Sequence, residues 1–135
     1  MTITRFLLLA ISTSFAAHAA GTPICGTRNT TAETLTCLED EIVKAEAQLK
    51  AYLNAAQAQA AQMTDKPPSL AHTQEAWLEY RKQHCGDAYL FWGSGSFRYD
   101  AAAQCNLELT HARTHEVWSA FLVRFGNSPP VLPEP

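Results

Sequence analysis

Within the run Leu70 to Cys85, the residues Gln74, Trp77, Arg81 and Cys85 recur at spacings of three and four. On a helix they share one face, which puts an amide, an indole, a guanidinium and a thiol side by side. That face is equipped for hydrogen bonding, cation–π contact and disulfide formation rather than for aliphatic packing alone. Beyond it, Tyr89, Leu90, Phe91, Trp92, Phe97 and Tyr99 bracket the tetrad Gly93-Ser94-Gly95-Ser96, Arg98 stands between the last two rings, and a further cysteine follows at Cys105. Tyr and Trp give large contact area at small entropic cost while Ser and Gly adapt to a surface, so this stretch has the composition of a protein-binding loop. There is no G-x-S-x-G or phosphate-binding pattern in a usable context, since Gly93-Ser94-Gly95 lacks the strand-turn-helix setting that a nucleophile elbow needs. The chemistry expected is contact rather than bond cleavage, with no enzyme activity and no resident cofactor.

Helices must hold these side chains, and the periodicity supplies them. Thr30-Thr31-Ala32-Glu33 fits a capping box, in which the Thr30 hydroxyl and the Glu33 carboxylate each satisfy an amide of the first turn. Leu35, Leu38, Ile42, Ala45, Leu49, Tyr52, Ala56, Ala60 and Met63 then recur at helical spacing while Glu39, Asp40, Glu41, Glu46 and Lys50 take the other faces, predicting a helix over 31–63. Pro67-Pro68 stops it, and Ser69 caps a second helix over 70–86 or beyond. The Gly/Ser tetrad interrupts regular structure, so 86–100 is expected to be a loop. Leu107, Thr110, Thr114, Val117 or Trp118, Phe121 and Phe125 trace the buried stripe of a third helix, with Gly126-Asn127 as its left-handed stop. The Pro-rich tail, 127–135, is expected to be extended or disordered. The fold class is all-α: a disulfide-stabilised three-helix domain over 20–126, its first two helices forming an antiparallel hairpin.

Residues 1–19 read differently. Arg5 precedes an apolar run from Phe6 to Ala10 that continues weakly to Ala16, and Ala17-His18-Ala19 fits a cleavage site, the pattern of a secretory signal peptide. That run is too short to span a bilayer, and no later segment approaches the roughly 20 apolar residues required. Ile24 stands where a lipidated Cys25 would need a small residue, so no membrane anchor is expected. The protein is therefore expected in the periplasm or outside the cell, as a chain of about 116 residues with little stability to spare from size alone.

Export decides how the cysteines read. All four, Cys25, Cys37, Cys85 and Cys105, lie beyond the signal, and an even count in an oxidising compartment implies two bridges. No C-x-x-C pair is present, which argues against a zinc site and against a thioredoxin-like motif. The helix layout favours Cys25–Cys37 with Cys85–Cys105, because the second pair closes the loop between two consecutive helices. In an antiparallel hairpin Cys85 would instead face the region around Ala47, about 15 Å from Cys37 at a rise of 1.5 Å per residue. Closing a loop of about 20 residues stabilises a fold by roughly 3 kcal/mol in the loop-entropy account.

Ten Lys+Arg oppose thirteen Asp+Glu, and loss of Arg5 with the signal leaves nine against thirteen, a net charge of −4. Mild acidity disfavours nucleic acid and anionic membrane surfaces and favours a cationic partner. His111 and His115 lie four apart, with His72 or His84 as further candidate ligands, but two ligands make a weak site and no H-E-x-x-H occurs. A solvated helix face is the expectation, not a metal centre.

The pattern Leu70, Gln74, Trp77, Tyr80, Arg81, Cys85 resembles the LprI-type lysozyme inhibitors, small exported bacterial proteins with a helix reading roughly L-x-x-x-Q-x-x-W-x-x-Y-R-x-x-x-C. Gly93 to Ser96, Cys105, Thr110 and Arg113 match the Gly/Ser loop, cysteine, Thr and Arg that follow, and Cys25 and Cys37 match the upstream cysteines, so the likeness spans about residues 25–122. Thr73 replaces a usual small residue, and Gly93-Ser94-Gly95 replaces a Gly-Gly pair. The resemblance implies a helical domain that binds lysozyme and blocks cell-wall hydrolysis. In that setting Tyr89, Trp92, Ser94, Ser96, Arg98 and Tyr99 are the partner-binding candidates, with Arg98 entering the sugar cleft and pairing with one of lysozyme's carboxylates. The acidic remainder would steer toward a cationic lysozyme. Gln74, Trp77, Tyr80, Arg81, Thr110 and Arg113 read as structural, Arg81 pairing a carboxylate or capping carbonyls and Gln74 bonding loop backbone. Three alternatives stay open: the aromatics of 89–97 cover the open end of the hairpin as core, the loop serves a periplasmic adaptor or immunity-type protein on another exported partner, or the chain is a weak metal-binding helical protein through His111 and His115. No feature of the sequence specifies an oligomeric state.

Overall fold

A computed structural model describes residues 24–26, 30–124 and 128–135; the expected signal peptide, Phe125 and the Gly126-Asn127 stop lie outside them. Among the described residues the chain forms α1 (Thr31–Met63), α2 (Leu70–Phe91) and α3 (Phe97–Phe121), with no strand. The capping box forms at α1: the Glu33 amide donates to the Thr30 hydroxyl and the Thr30 amide to the Glu33 carboxylate, each at 3.2 Å. Ser69 is the N-cap of α2 but makes no side-chain cap bond. Gln57 caps instead, its Oε1 accepting from the Leu70 amide and its Nε2 donating to the Pro68 carbonyl, both at 3.1 Å.

Two boundaries differ from the periodicity. Residues 86–91, expected in a loop, complete α2, and α3 begins at Phe97, which leaves only 92–96 between them. A single Gly86 costs a helix about 1 kcal/mol, too little to end one that a disulfide and a neighbouring helix hold in place. At the other end α3 stops at Phe121, earlier than the expected Gly126-Asn127.

The three helices run up, down and up. Glu46 meets Arg81 and Gln57 meets Leu70, so α1 and α2 are antiparallel; Cys85 meets Cys105, Arg81 meets Thr110 and Gln74 meets Arg113, so α2 and α3 are antiparallel too. That register carries Cys85 to the level of Ile42, not Ala47 as expected, yet still leaves it well short of Cys37. The closest helix packing joins α3 to α1 and to α2, while α1 and α2 touch mainly through side chains across a groove.

Two core clusters divide the bundle. One holds Cys25, Cys37, Leu38, Ala45, Ala103 and Leu107; the other holds Leu49, Tyr52, Ala56, Leu70, Val117 and Leu122. Met63, placed on the apolar stripe of α1 by spacing, is exposed because α1 outruns its partners. Both disulfides, Cys25–Cys37 and Cys85–Cys105, form, with Cα–Cα distances of 6.1 and 5.5 Å. They sit at the same end of the bundle, beside the 92–96 turn. At the opposite end the Pro-rich tail is extended but docked rather than disordered: the Val131 amide donates to Leu122 O, the Trp118 indole to Leu132 O and the Tyr52 hydroxyl to Pro133 O, at 2.9, 3.0 and 2.8 Å. Val131 and Leu132 thereby join the second cluster.

Candidate functional site

The turn between α2 and α3 is made by Gly93, which takes φ +60° and whose amide donates to Leu90 O at 3.0 Å. A side chain is strained there, which is why the tightest point carries glycine. Arg98 then folds back over the turn. Its Nη1 donates to the Gly93 carbonyl at 3.0 Å and its Nη2 to the Tyr99 hydroxyl at 3.1 Å, while its guanidinium lies 4.7 Å from the Tyr89 ring centre and 5.0 Å from that of Tyr99. Tyr89 and Tyr99 meet edge-to-face at 5.3 Å. The Tyr89 hydroxyl and then Arg98 hold the Tyr99 phenol below its ordinary range, whereas the contact with Tyr99, together with burial, raises Tyr89. Arg98 is thus half-buried, with both Nη groups bonded inside the tip and its Nε left without a partner among the described residues.

A second layer of rings lies outside this brace. Trp92 packs edge-to-face on Phe97 at 4.7 Å and on Phe91 at 5.6 Å. These side chains are not a lid on the core: Phe91 is 81% exposed, Leu90 71%, Phe97 51% and Trp92 49%. Ser94 and Ser96 are exposed among them. Phe91, Trp92 and Phe97 form a contiguous exposed apolar surface at the turn, with Leu90 exposed beside it, of the kind that marks interaction sites. Asp100, in the first turns of α3, has one carboxylate oxygen shut off from solvent without a hydrogen-bond partner among the described residues, and burial pushes its pKa up.

The helix-face residues have a different fate. Arg81 donates to the Thr110 hydroxyl and to the Glu46 carboxylate, both at 2.7 Å, and stacks 5.0 Å from the Trp77 ring, tying α2 to α3 and α1 at once. Thr110 in turn donates to Asn106 O at 2.7 Å. Arg113 donates to Gln74 Oε1 at 3.3 Å and to Glu116 at 3.2 Å, so Gln74 bonds a guanidinium on α3, not loop backbone. Tyr80 departs from the structural group, being exposed and stacked on His84 at 5.4 Å. A groove of about 480 Å³ between α1 and α2 is lined by Gln74, Trp77 and Arg81, but Arg81 is engaged by Thr110, Glu46 and the Trp77 ring, and Gln74 Oε1 by Arg113. His111 is exposed, and His115 faces Glu134 of the tail at 3.2 Å. No three His, Cys, Asp or Glu side chains gather as a metal set among the described residues.

A family model described as Lysozyme inhibitor LprI matches residues 25–117, from the first disulfide cysteine to Val117 in the second core cluster. The chain belongs to the LprI lysozyme inhibitor family. No curated protein and no solved structure is found to match it. In this LprI-family chain the matched span contains both disulfides, the Arg81 network and the whole aromatic tip. Sequence reading singled out the tip residues as candidates and gave no role to Gln57, Glu46 and Asp100, whose contacts depend on partners far along the chain or on burial; only the Gln57 position, within the last turns before Pro67-Pro68, hinted at a cap.

Proposed function

We propose that this protein is exported and inhibits lysozyme by stoichiometric binding through the aromatic tip of the α2–α3 hairpin. The observation that carries the reading is the exposure of Leu90, Phe91, Trp92 and Phe97 on a turn closed beneath by Cys85–Cys105 and by Arg98. Rigid rings held in place before binding lose little freedom on contact, so their burial goes largely into affinity. Trp92 and Phe97 would occupy the cleft where sugar rings stack, excluding the polysaccharide from the paired carboxylates that cleave it. Ser94 and Ser96 supply adaptable hydrogen bonds around them, while Tyr89, Arg98 and Tyr99 position the turn. A net charge of −4 after signal removal favours encounter with a cationic enzyme.

The test is complex formation. Calorimetric titration of the oxidised protein with lysozyme is expected to show one-to-one binding that Trp92→Ala combined with Phe97→Ala abolishes. Undiminished binding by that double variant would move the site away from the tip.

A further inference from the structure

Beside the tip, between the first turns of α1 and of α3, lies a cavity of about 340 Å³ walled by Trp92 and Phe97, floored by Leu38 and edged by Asp100, Gln104 and Glu108. We propose that this cavity receives a lysine or arginine side chain of the bound partner. The proposal rests on the tip being the lysozyme-binding face and names what that face grips.

The three polar residues stand four apart on α3 and so form one stripe along the cavity edge. Gln104 Nε2 donates to Glu108 Oε1 at 2.7 Å, which fixes that carboxylate in place. Among the described residues no lysine or arginine lines the cavity. Asp100 Oδ1 is sealed from water without a hydrogen-bond partner among the described residues, and burial, the cause of the shift, raises the carboxyl's pKa. A carboxylate held this way is costly to the free protein, and such sites cluster where function demands them. The walls complete the match: Trp92 and Phe97 are half exposed and meet at 4.7 Å, presenting ring surface for a methylene stem or a cation–π contact. An anion would face two carboxylates here, and a purely apolar side chain would give neither of them a partner. The size suits one long side chain and sits at the low end of small-molecule sites.

The experiment titrates Nα-acetyl-lysine methylamide, its arginine analogue and the uncharged norleucine analogue into isotopically labelled, oxidised protein, following the Trp92 indole and the Gln104 side-chain amide. Saturable shifts are expected with both cationic probes, none with norleucine, and none in Asp100→Asn combined with Glu108→Gln. Absence of shifts in the wild type overturns the proposal. In parallel, the same double variant is expected to bind lysozyme at least tenfold more weakly; equal affinity overturns the proposal while leaving the lysozyme reading intact. Cationic probes bound at the cavity by a wild type that binds no lysozyme would sustain the cavity and refute the lysozyme reading. Asp100→Asn keeps the shape of a half-buried side chain and is expected to fold; Glu108→Gln alone, at an exposed position, repeats the test with the core untouched.

Discussion

The Arg98 guanidinium donates to the Gly93 carbonyl at 3.0 Å, tying the one left-handed residue among those described to the first turn of α3. The rings of Tyr89 and Tyr99 border that same guanidinium, so helix, turn and helix are joined at one cation. Below this brace the Cys85–Cys105 bridge closes the same segment covalently. The exposed rings of Phe91, Trp92 and Phe97 therefore stand on a base fixed twice, a physical reason for them to be ordered without a core above them.

Arg98→Ala should loosen the turn without unfolding the bundle. Backbone amides of 92–96 are expected to exchange faster by NMR, lysozyme affinity to fall about tenfold as ordering is deferred to the binding step, and the melting temperature to move little. Arg98→Lys should not restore affinity, because an ammonium lacks the planar fork that reaches both Gly93 and Tyr99.

Arg81 and Glu46 form one ion pair with unequal partners. The Arg81 side chain is 13% exposed and Glu46 46%. Arg81→Ala is expected to cost about 2–3 kcal/mol in urea denaturation, since it strips Thr110 and Trp77 of a buried partner. Glu46→Gln should cost under about 1 kcal/mol, the range of solvent-exposed pairs. Equal losses would contradict the view of Arg81 as the bolt through all three helices.

Asp100 gives stability a pH signature of known sign. Burial raises its folded pKa above the unfolded value, so its neutral form stabilises the fold fully at low pH and this contribution is lost as pH rises through the folded pKa. Around the same cavity stand Thr34 from α1 and Gln104 and Glu108 from α3. Asp100→Asn should therefore melt higher than wild type at pH 7, with the gain shrinking as pH falls through the carboxylate range. A gain that does not change with pH would show that burial of this charge is not its source.

The tail offers a control for the tip. Tyr52→Phe removes the bond to Pro133 O and is expected to cost about 1 kcal/mol. Truncation before Val131 uncovers the Trp118 indole and Leu122 O, and is expected to lower the melting temperature by about 5 °C or more in calorimetry. Lysozyme affinity should survive both changes, because the tail docks at the end of the bundle away from the tip.

The helices were legible because their signals are local: the Thr30/Glu33 box, the three- and four-residue spacing of Leu38, Leu49 and Leu107, and Pro67-Pro68. The disulfide pairing was legible for the same reason, since Cys85 and Cys105 flank a single connection. What escaped reading is held by distant contacts. Gly86 does not end α2 because the bridge at Cys85 and packing on α3 outweigh its local preference. Prolines in the tail argued against regular structure, correctly, but Leu132 and Pro133 still offer carbonyls, and Trp118 and Tyr52 donate to them. At the tip, free Arg98 and braced Arg98 have the same sequence, and only the placement of Gly93, Tyr89 and Tyr99 distinguishes them.

The most direct test is the clearing of a cell-wall suspension by c-type, g-type and i-type lysozymes, titrated with oxidised protein and with the variant carrying both Trp92→Ala and Phe97→Ala. The account predicts that one equivalent of wild type suppresses at least one of these enzymes, and that the variant, with helical content and both disulfides intact, does not. Full inhibition by the variant, or none by the wild type against any of the three, would contradict it.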